Sequence, residues 1–274
     1  MDYPVEPLSA DERALLAPHV TNLDRPVFAL AGLPETVKGA LFARYSRYPG
    51  TLRRLMVGEF AGDLAAAGER RGPAADGEAP APGRAATLYE RIFLGYGDDS
   101  VAQLGGAHVA CEWASNLLTK ILQRPRLAAY LEQSTRYIAY DAPIDSGRFR
   151  YYRDPSLGPE YVAAMDALFE TYAAALPVVS AWAADAFPIA GGESPAAHAR
   201  AIRAKALDLL RGLLPAASLS HMGIYASGQT YEQLILHLLA HPLPEAREYG
   251  TMILRELQPV LGSFLTRVER PDRG

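Results

Sequence analysis

Arg124-Pro125-Arg126-Leu127-Ala128-Ala129-Tyr130-Leu131-Glu132-Gln133-Ser134-Thr135-Arg136-Tyr137 gathers three arginines, a carboxylate and a serine within fourteen residues of a chain whose net charge is -4. Pro125 lacks an amide donor and turns its predecessor away from helix, so Arg124 is expected to close a helix and the run to begin as a loop. A guanidinium is permanently charged and offers a rigid fork of donors that matches phosphate, so the cluster with Ser134 and Tyr137 suits a phosphorylated ligand. The plainer reading is that these arginines cap a helix end or pair with nearby carboxylates, as surface arginines commonly do.

Outward from this run, residues 101–123 are small and apolar with Gly105 and Gly106 inside, which allows a long helix or a short strand followed by a helix. Residues 137–140 and 149–152 are aromatic and β-branched and are expected to form two strands, separated by Pro143 and Gly147. Helical patterns follow over 159–187 with a kink or break at Pro177, over 195–214, over 231–239, and from Pro244 to about Arg267 with a bend near Pro259. At the other end, residues 8–17, 35–46 and 50–67 carry apolar positions at helical spacing, so the N-terminal quarter is expected to be helical. Residues 68–86 are Ala, Gly, Pro and Arg without a large apolar side chain, as in a flexible loop or an active-site lid. The expected partition is 1–67 as a helical part, 68–86 as a loop and 87–274 as the catalytic core, with no internal repeat. The fold class is α+β: a helix-rich single domain with a small central antiparallel sheet.

A chain of 274 residues with 49% hydrophobic content can bury a full core. Its acidic balance argues against polymeric nucleic acid, whose binders display a strongly basic face. The single cysteine, Cys111, excludes an intrachain disulfide and is expected at a packed helix position, as a small hydrophobe rather than a catalytic thiol. Residues 1–7 lack the basic and apolar regions of a signal peptide, no apolar run reaches membrane-spanning length, and the expected location is cytoplasmic. His237 and His241, like His108 and Glu112, have the spacing that stacks two ligands on a helix face, yet neither pair has a third partner, so no metal is expected. The glycine pairs at 105–106 and 191–192 are too short for a phosphate-cradling loop, and no Gly-x-Ser-x-Gly element is present.

Arg124-x-Arg126, then Ser134 after seven residues, then Arg136 and Tyr137, with Glu132 between, resembles the signature of the flavin-dependent thymidylate synthases. Further on, Leu210-Arg211-Gly212-Leu213-Leu214-Pro215 is similar to that family's Ala-Arg-x-x-Leu-Pro element, Ser227-Gly228-Gln229 stands where it has Asn-x-Arg, and the stretch from Glu245 to Arg255 matches its final helix ending in an arginine at the pyrimidine. Gly97 and Ser100 stand about where it has a Gly-His-x-Ser-Pro-x-Glu element, so the resemblance covers roughly 95–265.

The resemblance implies the fold of those enzymes, with strand then helix over 101–123. It also implies reductive methylation at C5 of a uridine monophosphate (dUMP or UMP), with methylenetetrahydrofolate as carbon donor, FAD as hydride source and NADPH as its reductant. By the same resemblance, Lys120, Arg124, Glu132, Gln133, Ser134, Arg136, Gln229 and Arg255 would hold the nucleotide. Ser100, Arg124, Arg126 and Glu132 would hold the flavin, and Arg255 and Ser134 would be catalytic. Family members are homotetramers with sites at subunit interfaces. This chain departs from the pattern at Pro125 (histidine in the family), Ala129 (serine), Leu131 (asparagine) and Gln229 (arginine). A neutral amide in place of a charged fork points to a variant acting on uridylate, as in nucleoside-antibiotic biosynthesis. The alternatives are a degenerate homologue that binds flavin or nucleotide without turnover, and a helical scaffold in which the arginines are structural.

Overall fold

Strands β1 (Val27–Leu30), β2 (Gly106–Ser115), β3 (Ala128–Glu132) and β4 (Leu219–Ser227) form one antiparallel sheet in the order β1-β2-β4-β3. The computed structural model describes residues 3–33, 35–70, 103, 105–144 and 146–270. Most of the 68–86 stretch and Ser100 lie outside the described residues.

β2 and β4 are central and nearly continuously buried. A strand covered on both faces reads as an unbroken small and apolar run, which is why 101–123 is ambiguous between helix and strand from periodicity. The outcome is β2 followed by helix α5 (Asn116–Leu122), started by the Ser115 hydroxyl on the Leu118 N–H. Cys111, His108 and Glu112 therefore lie on a strand, not on the helix expected for them. Cys111 is buried and burial pushes its thiol pKa far up, so it packs as a hydrophobe. In β4, Gly223 faces the Phe42 ring so closely that a Cβ would come within 2.7 Å of it. A glycine there lets a helix approach the sheet.

Alternation along β1 divides the core. Val27 and Ala29 join Val109, Met222 and Ile224 against α8 (Gly228–Leu239) and α9 (Pro244–Leu265). Phe28 and Leu30 join Ala110 against α1 (Ala10–Leu16), α2 (Glu35–Tyr45), α3 (Leu52–Glu59) and α4 (Ala61–Arg70). The N-terminal quarter is thus helical except for β1, a four-residue strand too short to announce itself. The single helix expected over 50–67 is two, because Phe60 leaves helical geometry (φ -119°, ψ 13°).

A third cluster packs α6 (Gly158–Ala186) and α7 (Pro195–Leu210) against Ile138, Tyr140 and Tyr151. The two strands expected at 137–140 and 149–152 are absent as such. The first is turn and coil, and the second contributes one bridge, Tyr151 to Ser218. Their aromatic residues serve this helical core instead, and the strand of that region is β3, inside the arginine run. α6 continues through Pro177, while α9 kinks at Leu261 (φ -131°, ψ 19°), two residues beyond Pro259. Contrary to the reading of the sequence, Pro155–Ala186 is long and apolar enough, by length and composition, to cross a membrane, with a mean hydropathy of 1.4 over an 18-residue stretch of which 17% is buried. It packs along α7 through Phe169, Tyr172 and Leu176 and leaves Val178 and Trp182 exposed.

The last helix is tied to the strand–helix corner by one carboxylate. Glu245 accepts from the Ser115 N–H (2.8 Å) and hydroxyl (2.6 Å), and burial raises its pKa to about 6 despite those bonds. The folded state therefore binds a proton more tightly than the unfolded chain, so this contribution to stability is full below the ordinary carboxylate range and is lost as pH rises through about 6. Denaturant unfolding of wild type and Glu245→Gln should diverge by about 2 kcal/mol between pH 4.5 and 7, the wild type losing stability relative to the variant.

Candidate functional site

β3 leads straight into a polar cavity of about 380 Å³. At its last residue the Glu132 carboxylate accepts from Thr119 Oγ1 (3.1 Å), Lys120 Nζ (2.9 Å) and Gln123 Nε2 (2.7 Å), so α5 fixes it from one side. Gln133 is 3% exposed. Its N–H donates to the His221 carbonyl (2.9 Å), its side-chain amide donates to the Tyr48 carbonyl (2.6 Å), and its Oε1 accepts from Arg150. The Ser134 N–H donates to the Ser46 carbonyl (3.2 Å), and its hydroxyl accepts the Arg136 N–H (3.3 Å) in a short local turn. Four segments thus hold residues 132–136 in one shape.

The rest of the wall comes from Asn116 and Lys120 of α5, from Tyr140, from Ser218 and Ser220 at the start of β4, and from Arg211 just after α7. At its rim Asp208 Oδ1 meets both Arg136 Nε (3.3 Å) and Arg211 Nη2 (3.2 Å). Two half-exposed guanidiniums share one carboxylate, so donor capacity is left over for an anion.

Behind the wall the sheet is irregular. The β2–β4 register shifts between Cys111 and Ala114, and Trp113 in that bulge has φ 59°. Its N–H donates to His221 Nδ1 (3.0 Å), which leaves the ring proton on Nε2. Burial first, then the charge of Arg150, holds the His221 pKa well below its ordinary value, so the imidazole is neutral.

The other arginines lie elsewhere. Arg124 and Arg126 occupy the loop before β3, where Leu127 accepts the Thr230 hydroxyl (3.1 Å) at the N-terminus of α8. Gln229 accepts from Gln103 (2.6 Å) at the same helix end. Among the described residues neither arginine has a carboxylate within ion-pair distance. These groups and the cavity sit at opposite ends of β3, about 15 Å apart for a five-residue strand. Arg255 is exposed on α9, beside Glu256, which pairs with Arg25 (2.6 Å). One chain therefore brings together Lys120, Glu132, Gln133, Ser134 and, through Asp208, Arg136, but not Arg124, Arg126, Gln229 or Arg255. Asn116, Tyr140, Ser218, Ser220 and Arg211 are missed as site residues by sequence reasoning. Only Arg211 carried a signal, in its Leu-Arg-Gly-Leu-Leu-Pro setting.

A larger cavity of about 790 Å³ lies beside this wall, lined among others by Phe149, Tyr151, Arg153 and Leu219. Of its charged lining residues, Arg153 pairs with Asp166 (3.1 Å) but leaves Nε without an acceptor, Asp154 accepts the Ser156 N–H (2.8 Å), and Arg148 is exposed. The smaller cavity, which takes in the end of the arginine run and two guanidiniums sharing one carboxylate, is the better site for an anion.

Residues 57–261 match the family described as thymidylate synthase complementing protein. The chain belongs to that family. Among its relatives, UPF0159 proteins of Chlamydia pneumoniae and Chlamydia muridarum are each 40% identical, over 96% and 95% of this chain and 50% of each relative. A UPF0159 protein of Thermoplasma acidophilum is 28% identical over 81% of this chain and 46% of its own. The chain spans about half the length of the curated relatives it matches. A thymidylate synthase X of Helicobacter pylori, solved with FAD and dUMP, aligns at 12% identity and a TM-score of 0.49, covering 71% of this chain and 86% of that one.

In this family member the rim carboxylate competes with an anionic ligand for two cations. Asp208→Asn should tighten the binding of inorganic sulfate about fivefold in calorimetric titration, by releasing Arg136 and Arg211. Weaker binding would mean that Asp208 orients the pair instead.

Proposed function

We propose that the protein methylates C5 of a uridine monophosphate reductively, with methylenetetrahydrofolate as carbon donor, FAD as cofactor and NADPH as reductant. The observation that carries this reading is the cavity at the end of β3, where Glu132 and Ser134 meet Lys120 and the Arg136–Arg211 pair. A phosphate monoester carries -1.5 to -2 charges near pH 7 and offers three acceptor oxygens, which suits the Ser134 hydroxyl and the two guanidiniums. Family membership supports the same reaction class.

C5 of uracil is a weak nucleophile, and bond formation there spreads negative charge over the ring. A cation fixed at the ring edge stabilises that charge without changing protonation state. Arg255 is proposed for this role, reaching the cavity from a second copy in a homotetramer, because in its own chain it points to solvent. The exposed apolar face of α6 offers area for such contacts. FAD supplies the hydride that completes the methyl group when it is bound. Arg124 and Arg126, without a carboxylate partner among the described residues and beside the N-terminus of α8, fit its phosphates, since helix N-termini favour anions. Ser100 is proposed to join them.

Gln229, already bonded to Gln103 and lacking a charge, supports uridylate over deoxyuridylate as substrate, and with it nucleoside-antibiotic biosynthesis over thymidylate supply. The assigned setting is the cytoplasm, where free nucleotides occur. A second reading, flavin or nucleotide binding without turnover, draws on the distance of Arg255 from the cavity of its own chain.

The purified protein should be yellow and should release tritium from C5 of uridylate in a folate-dependent way. Flavin without release would leave the second reading, and neither flavin nor nucleotide binding would leave a scaffold. Ser134→Ala should weaken nucleotide binding about tenfold while turnover at saturation falls less. Arg255→Ala should lower turnover about 100-fold, roughly 3 kcal/mol, as for loss of an oxyanion donor; unchanged turnover would remove Arg255 from the chemistry.

A further inference from the structure

We propose that Arg150 is the buried counter-charge of the cavity, a positioning residue that does not touch the ligand but sets the site's preference for the dianionic form of a phosphate monoester. This rests on the reading that the cavity receives the nucleotide phosphate.

Lys120, Arg136 and Arg211 bring three positive charges to the lining and rim, and Glu132 and Asp208 bring two negative ones. One positive charge remains, which is short of a phosphate dianion. Arg150 lies directly behind, 7% exposed. Among the described residues no carboxylate pairs with it. Its guanidinium donates to Gln133 Oε1, lies over the rings of Tyr140 (4.9 Å) and Trp113 (5.4 Å), and leaves Nε without an acceptor. A buried cation without a counter-ion is costly, and aromatic faces offset only part of that cost. An anion in the cavity would supply the rest, since Tyr140 and Gln133 are themselves lining residues.

The surroundings hold Arg150 in place. Its carbonyl accepts the Leu219 N–H (2.9 Å), and the next residue bridges to Ser218. Trp113 adopts a backbone conformation that a bulky residue rarely takes, and its ring there lies against Arg150 and His221. His221 is neutral and brings no competing charge. Gln133, with one amide hydrogen on the Tyr48 carbonyl and its Oε1 accepting from Arg150, links Arg150 to the Glu132 and Ser134 backbone.

The test is calorimetric titration of wild type, Arg150→Met and Arg150→Lys with uridine 5′-monophosphate and, separately, inorganic phosphate, at pH 5 and pH 7.5. Phosphate monoesters lose their second proton near pH 6. Wild type and Arg150→Lys should bind uridine 5′-monophosphate at least tenfold more tightly at the higher pH, and Arg150→Met less than threefold. Lys120, Glu132, Asp208, Tyr140, Arg136, Arg211 and His221 are common to all three proteins, and Arg150→Lys keeps the positive charge that acts on His221, so it is the control for an indirect effect through that ring. A purely structural role would lower affinity equally at both pH values and overturn the proposal. Should Arg150→Met not fold, Arg150→Gln takes its place with the same expected loss. Inorganic phosphate that binds with this Arg150 dependence while the nucleotide does not bind would sink the nucleotide reading and keep the counter-charge. Failure of both ligands to bind wild type would overturn both.

Discussion

The antiparallel pairing of β3 with β4 fixes both ends of the site at once. Ala128 opposite Ala226 sets the loop that carries Arg124 and Arg126 beside the start of α8, and Glu132 opposite Met222 delivers residues 132–136 to the cavity. A slip of one residue would turn every β3 side chain to the other face. The register is secured by β4, which lies between β2 and β3 and is covered by helices, so the position of the edge strand follows from the core.

Against that regular frame, one irregular feature serves the site. The bulge in β2 sends Glu112 toward α3, where it accepts the Leu52 N–H (2.8 Å) and pairs with Arg53 (3.1 Å), while the Trp113 N–H meets His221. Bulges re-aim side chains, and here they do so next to the polar wall. Buried charge is distributed unevenly as a result. Arg53 has a carboxylate, as does Arg267 with Glu232 (2.7 Å), whereas Arg150, nearest the cavity, has an amide oxygen and two rings.

Part of this is legible in the amino-acid order. The arginine run, the helix closing before Pro125, the long helices and the bend after Pro259 follow from local rules of proline, capping and period. β3 is not legible, because Ala128-Ala129-Tyr130-Leu131-Glu132 is short and only half-buried, and its neighbours at 137–140 and 149–152 look more strand-like than it does. Their aromatic residues go instead to the α6–α7 core, a tertiary demand that no local window contains. β4 has a similar history: Ser218, Ser220, His221 and Gly223 obscure a strand whose small residues are required by close packing. Arg150 is hidden for another reason. Its importance lies in burial without a carboxylate partner among the described residues, which composition and spacing do not record. Arg255 illustrates the converse, since its place in a motif is legible while its distance from the cavity of the same chain is not.

All of this turns on the cavity at the end of β3 receiving the phosphate of a uridine nucleotide. A crystal structure of the protein soaked with uridylate tests it most directly. The phosphate should lie within hydrogen-bond distance of Ser134 Oγ and the guanidiniums of Arg136 and Arg211. Nucleotide bound in the larger cavity beside Phe149 and Tyr151, with the β3 end free of ligand, would contradict it.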